Sequence, residues 1–123
     1  QKNAVSWFEI PVKNFEKAKN FYRTIFAFDM PEMQMGPNRM GILLHDQAEG
    51  VGGAIVSGEW YEPSMSGTMV YLNANPDLAV VLDRVEKAGG SILVPKTNIG
   101  ENMGYFAMFK DVEGNRVGLH SMK

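Results

Sequence analysis

Apolar and polar positions alternate with a period of two over residues 5–12, VSWFEIPV, where Trp7, Glu9 and Pro11 interleave with Phe8, Ile10 and Val12. This period predicts a strand that turns Phe8, Ile10 and Val12 inward and leaves Trp7 and Glu9 on the opposite face. Asn14 then caps a helix in which Phe15, Ala18, Phe21, Tyr22 and Ile25 recur at three-to-four spacing, with Glu16, Lys17, Lys19 and Arg23 opposite. Such a helix lies on a sheet. After Asp29, Met30 and Pro31 come an extended methionine-rich stretch at 33–35, a turn at Gly36-Pro37-Asn38 and a strand at 40–45. A further strand, about 51–56, follows a turn at Glu49-Gly50.

Residues 58–67, GEWYEPSMSG, have turn residues at both ends and no apolar period, so they read as a linker that holds Trp60 and Tyr61. The pattern then restarts. Residues 68–73 alternate as a strand, and Asn75-Pro76 supplies a cap followed by proline at the first helical position. Leu78, Val81, Leu82, Val85 and Ala88 form the apolar stripe, which Gly89-Gly90 ends. A strand at 91–94 is expected to stop at Pro95, and a loop at 98–104 leads into a hairpin at 105–120, whose turn begins at Asp111 and carries Gly114-Asn115.

Strand, helix and three strands thus occur twice. A shift of 63 residues, the separation of Asn14 from Asp77, also sets Trp7 on Val70 and Met40-Gly41 on Met103-Gly104. Past the third strand, a shift of 64 aligns Glu49-Gly50 with Glu113-Gly114. The expected organisation is one α+β domain: a first module at about 4–57, the linker 58–67 and a second module at about 68–121.

Composition narrows the function classes. Of the 123 residues 45% are hydrophobic and 21% charged, and the net charge of −2 speaks against both disorder and a polyanion-binding surface, so nucleic acid is not an expected partner. Without cysteine there are no disulfides, thiolate zinc sites or cysteine nucleophiles. No apolar run approaches the roughly 20 residues that span a bilayer and no signal-peptide pattern opens the chain, so no membrane association and a cytoplasmic location are expected. Gln1 suggests that a leading residue or tag has been removed. The only histidines are His45 and His120, which leaves few other groups to titrate near neutral pH.

The opening WFEIPVKNFEKAKNFY and the closing DVEGNRVGLHS resemble the vicinal oxygen chelate superfamily of glyoxalases, bleomycin-resistance proteins and extradiol dioxygenases, in its glyoxalase-like branch. The resemblance implies two βαβββ modules curling around a shared cleft, and a homodimer. It also implies four strand positions for divalent-metal ligands, normally His, Glu or Gln. Here those positions fall on Trp7, Val70, Gly118 and either Ala54 or Ile55, none of which is such a ligand. No cofactor is therefore expected, and a divalent metal only at a non-standard site.

If Trp7 and Gly118 face the cleft as ligand positions would, strand parity turns Glu9 and His120 toward it as well. The expected lining is Trp7, Glu9, Val70, Leu72, Gly118 and His120, with Trp60 and Tyr61 as further ligand contacts. Met30, Met33, Met35 and Met40 could add an adaptable apolar surface, and His45 is expected at the surface. Two functions fit. One is a metal-free protein that binds a small aromatic or amphipathic molecule; the other is a lyase or isomerase using Glu9 and His120 as a catalytic acid/base pair, metal-free or with a displaced metal.

Overall fold

The computed structural model describes residues 3–123; Gln1, and the expectation attached to it, lies outside them. The first module comprises β1 (Trp7–Pro11), α1 (Phe15–Phe26), β2 (Glu32–Met35), β3 (Asn38–Ile42) and β4 (Gly52–Ser57). The second comprises β5 (Tyr71–Asn73), α2 (Leu78–Val85), β6 (Ser91–Gly100), β7 (Gly104–Lys110) and β8 (Arg116–Ser121). Each module forms a four-stranded mixed sheet, in the orders β1-β4-β3-β2 (sheet A) and β5-β8-β7-β6 (sheet B), with its first strand parallel to its last. The α+β class and the paired βαβββ modules are as the sequence predicts. Among the described residues no helix is long and apolar enough to cross a membrane.

Helix α1 begins as expected, the Asn14 side chain accepting from Lys17 N at 3.1 Å. Helix α2 differs. Its cap is Asp77, which accepts from Ala79 N at 2.9 Å, because Asn75 is tied instead to the C-terminal segment by accepting from Met122 N at 2.8 Å. Strand β6 also departs from expectation, running through Pro95 to Gly100. Being outermost in sheet B, it needs no donor from proline on its free side, and register shifts between Ile92 and Thr97 carry the pairing around the ring. Strand β3 stops at Ile42 rather than at His45.

The repeat is real, but its register shifts along the chain. Val12 N donates to Val56 O at 2.9 Å as Ala74 N donates to His120 O at 2.8 Å, which makes Val12 equivalent to Ala74 and Val56 to His120. The second module has one more residue than the first between this strand position and the helix cap. The mate of Trp7 is therefore Met69, while Val70 packs against the core. A one-residue offset in a strand exchanges its faces.

One core joins the modules. Ile10, Val12, Phe15, Phe21, Tyr22, Ile25 and Ile55 of the first bury against Leu72, Leu78, Val85, Phe109, Val117 and Leu119 of the second. At its edge the turn between β7 and β8 docks on the corner between β1 and α1. Glu113 accepts from Asn14 N at 2.8 Å and Asn115 Nδ2 donates to Pro11 O at 2.7 Å. Asp111, 2% exposed, accepts from Tyr22 OH at 2.8 Å and from the backbone N of Glu113 and Asn115, each at 2.9 Å.

Burial, then the Asp111 charge and the hydrogen bond to it, push the Tyr22 phenol well above the ordinary tyrosine value. A raised folded-state pKa contributes stability that is complete below the unfolded value, about 10, and is lost as pH rises beyond it. Tyr22→Phe should therefore cost about 1 kcal/mol at neutral pH, and the difference from wild type should shrink above pH about 10 in denaturant titrations.

Candidate functional site

The two faces of sheet A differ in kind. Phe8, Ile10 and Ile55 enter the core, whereas register puts Glu9 beside Ala54, Ala54 beside Ile42, Val56 beside Met40 and Met40 beside Met33 on the outer face. Period two thus builds an apolar floor with one carboxylate set in it. Tyr61 packs onto this floor with Met40, Ala54, Val56 and Ile42. Its hydroxyl donates to Glu9 Oε1 at 2.6 Å, and Trp7 Nε1 donates to Glu9 Oε2 at 3.3 Å. Two aromatic residues, one from β1 and one from the linker, therefore hold the carboxylate. The hydrogen bond to Glu9 first, then desolvation and the carboxylate charge, raise the Tyr61 phenol above its ordinary value.

A tight turn makes this placement. Tyr61 N donates to Gly58 O at 3.2 Å, and Trp60 between them takes a left-handed φ of 79°. Tyr61 is thereby laid over the sheet, while Trp60 is thrown outward, 91% exposed, and away from the floor.

Beside the floor, between β1 and β5, opens a cavity of about 1290 Å³ lined by Trp7, Glu9, His45, Tyr71, Leu72, Asn73 and Arg116 among others. It draws on both modules, as the shared-cleft expectation requires. Leu72 belongs mainly to the core at 6% exposure, because β5 turns Tyr71 and Asn73 outward instead. His120 is not part of this lining; it lies on sheet B beside Phe106, its Nε2 donating to Met103 O at 2.8 Å. Glu9 and His120 thus sit on different sheets and make no contact.

Of the methionines, Met30 is in the core, while Met33 and Met40 occupy the outer face of sheet A and Met35 continues its alternation. His45 lines the cavity rather than the open surface, its Nδ1 donating to Leu43 O at 2.9 Å. Tyr71 and Arg116 were missed from sequence. Tyr71 alternates with Leu72 and could have been found once the register slip was known.

The positions where the resemblance implies metal ligands are Trp7, Ala54, Met69 and Gly118 in the observed register, and they do not suit a hard divalent ion. Indole N–H only donates, a thioether is soft, and alanine and glycine have no donor atom. Among the described residues no three His, Cys, Asp or Glu side chains cluster as a metal site.

A model of the glyoxalase/bleomycin resistance protein/dioxygenase superfamily matches residues 4–119. No curated protein matches the chain at a significant level. Among solved structures, the hypothetical protein SA1046 from S. aureus is 21% identical with a TM-score of 0.66, over 98% of this chain and 99% of that one. TnmS3, an antibiotic binding protein from Streptomyces sp. CB03234, is 23% identical with a TM-score of 0.62, over 98% and 97%. A glyoxalase/bleomycin resistance protein/dioxygenase family enzyme from Burkholderia phytofirmans PsJN is 13% identical with a TM-score of 0.67, over 96% and 98%. At these identities the likeness is one of fold.

The Tyr61–Glu9 contact can be read by titration. Glu9→Gln, which removes the charge and keeps the shape, should bring the Tyr61 phenol back toward the ordinary tyrosine range. Ultraviolet difference titration against a Tyr61→Phe control measures this; an unmoved phenol would mean that the two groups do not meet.

Proposed function

The chain belongs to the glyoxalase/bleomycin resistance protein/dioxygenase superfamily, and from that premise we propose that it is a small-molecule binding protein. It holds an aromatic or amphipathic molecule in the cavity between β1 and β5, against Trp7 and beside the Glu9 carboxylate that Tyr61 orients, without metal chemistry at the four family positions. The observation that carries this reading is the Trp7–Glu9–Tyr61 cluster beside a cavity of about 1290 Å³. A mostly apolar concavity with a few fixed polar groups is the usual form of a small-molecule site. The Trp7 ring offers flat apolar area, and the carboxylate that it and Tyr61 orient can accept a hydrogen bond from the ligand.

Fold alone does not choose between binding and catalysis, since one fold carries many activities. Side-chain chemistry favours binding. A family reaction that polarises a carbonyl on a divalent ion would lose several kcal/mol of transition-state stabilisation at positions held by Trp7, Ala54, Met69 and Gly118. That TnmS3, of the same fold, is described as an antibiotic binding protein supports the same choice by analogy. The homodimer that the family resemblance suggests is consistent with the exposed apolar side chains Met33, Met35, Tyr71 and Met103, and would sediment at twice the 13.7 kDa chain mass.

Trp7→Ala should weaken binding of the neutral dye N-phenylnaphthylamine by roughly tenfold or more, read from the dye's fluorescence, because it removes a large apolar wall. Dialysis against a chelator should leave that affinity unchanged. Metal-stimulated turnover of the methylglyoxal–glutathione adduct would overturn the reading.

A further inference from the structure

The cavity's charged groups are not alike in their surroundings. Three carboxylates line it, and each has its own donors within the protein. Glu9 accepts from Trp7 and Tyr61, Asp46 accepts from Ala48 N at 2.9 Å, and Glu62 pairs with Lys13 Nζ at 2.8 Å. Arg116 is the single lysine or arginine of the lining, and its guanidinium has no acceptor among the described residues. Its Nε–H is buried and unpaired. A buried donor without an acceptor costs roughly 1–3 kcal/mol, more when charged, so a residue that carries one in a cavity wall is an unusual feature.

The neighbouring chain adds hydroxyls. Arg116 N donates to Ser64 O at 3.3 Å, which sets β8 beside the end of the linker. Ser64 Oγ and Ser66 Oγ lie 3.0 Å apart and Ser66 N donates to Ser64 Oγ at 3.0 Å, so one of the two hydroxyl hydrogens remains free to donate. Both serines line the same cavity. Asn115 holds this arrangement in place, its Oδ1 accepting from Ser64 N at 2.9 Å.

We propose that the ligand of this cavity carries an acidic group, a carboxylate, sulfonate or phosphate, which Arg116 receives with the Ser64 and Ser66 hydroxyls beside it. This rests on the binding reading above and adds a polarity to it. The apolar body of the ligand lies toward Trp7 on β1, and its anionic end lies toward β8. A guanidinium fork pairs its N–H donors with two oxygens of a carboxylate, sulfonate or phosphate, and such charge-assisted bonds are stronger than neutral ones. The Glu9 carboxylate does not compete for Arg116, since the two line one cavity without forming an ion pair.

Two dyes of one skeleton separate the claims: anilinonaphthalene sulfonate, which is anionic, and N-phenylnaphthylamine, which lacks the sulfonate. With the full chain at low salt, the anionic dye should bind about tenfold more tightly, a difference equivalent to about 1.4 kcal/mol. Arg116→Gln should abolish that preference, so that the two dyes bind this variant alike, whereas Arg116→Lys, which keeps the charge, should retain part of it. The preference should also shrink as salt is raised. Equal affinities in the wild type, or a preference that survives Arg116→Gln in a variant with unchanged circular dichroism, would overturn the anion proposal while leaving the binding reading in place. Failure of both dyes to bind would overturn the two together.

Discussion

Everything the two sheets do together depends on a buried acid that the second module presents to the first. Asp111 gathers donors from its own turn and from Tyr22 of α1, while Asn115 and Glu113 of the same turn engage the backbone of Pro11 and Asn14. A carboxylate inside a protein is tolerated only when such donors surround it, so the turn and the helix hold each other in a narrow range of geometries. The packing of Phe21 and Tyr22 against Phe109, with ring centres 5.7 and 6.5 Å from it, fills the space beside the contact. The turn holds β1 through Pro11, and β5 pairs with the strand that follows the turn, so both walls of the cavity are tied to this docking.

The same turn reaches the site by a second route. Asn115 accepts from Ser64 N, and Arg116 follows it directly into β8, so the linker that lays Tyr61 over Glu9 is pinned at its far end to the residues that close the core. The junction and the binding surface therefore share a short stretch of chain. A substitution at Asn115 would be felt in both.

Much of the fold was legible because periodicity reports burial, and burial is what decides these elements. The stripe from Phe15 to Ile25 and the alternation from Trp7 to Val12 came out as the sequence predicts. The misreadings have local causes. Proline stops a strand only where its missing donor is needed, and at Pro95, on the outermost strand of sheet B, it is not. The Asn75 cap lost to Asp77 because the Asn75 side chain binds the distant Met122 backbone, a contact no local pattern encodes. The site was legible in half. Glu9 and Trp7 follow from parity, but the reach of Tyr61 depends on a turn at Trp60, and an unpaired Arg116 is visible only when its neighbours in space are known.

Gly118 stands where the family resemblance would place a metal-binding acid, and its single hydrogen leaves room for the ring of Tyr71 to lie across it from the neighbouring strand. The first carbon of any side chain added there would come within 2.4 Å of that ring, so the ring would have to move. A metal-binding acid here therefore needs two changes at once, the acidic side chain itself and a smaller or displaced residue at 71. Packing of this kind couples two positions on neighbouring strands, so what residue 118 can carry is set by what stands at residue 71.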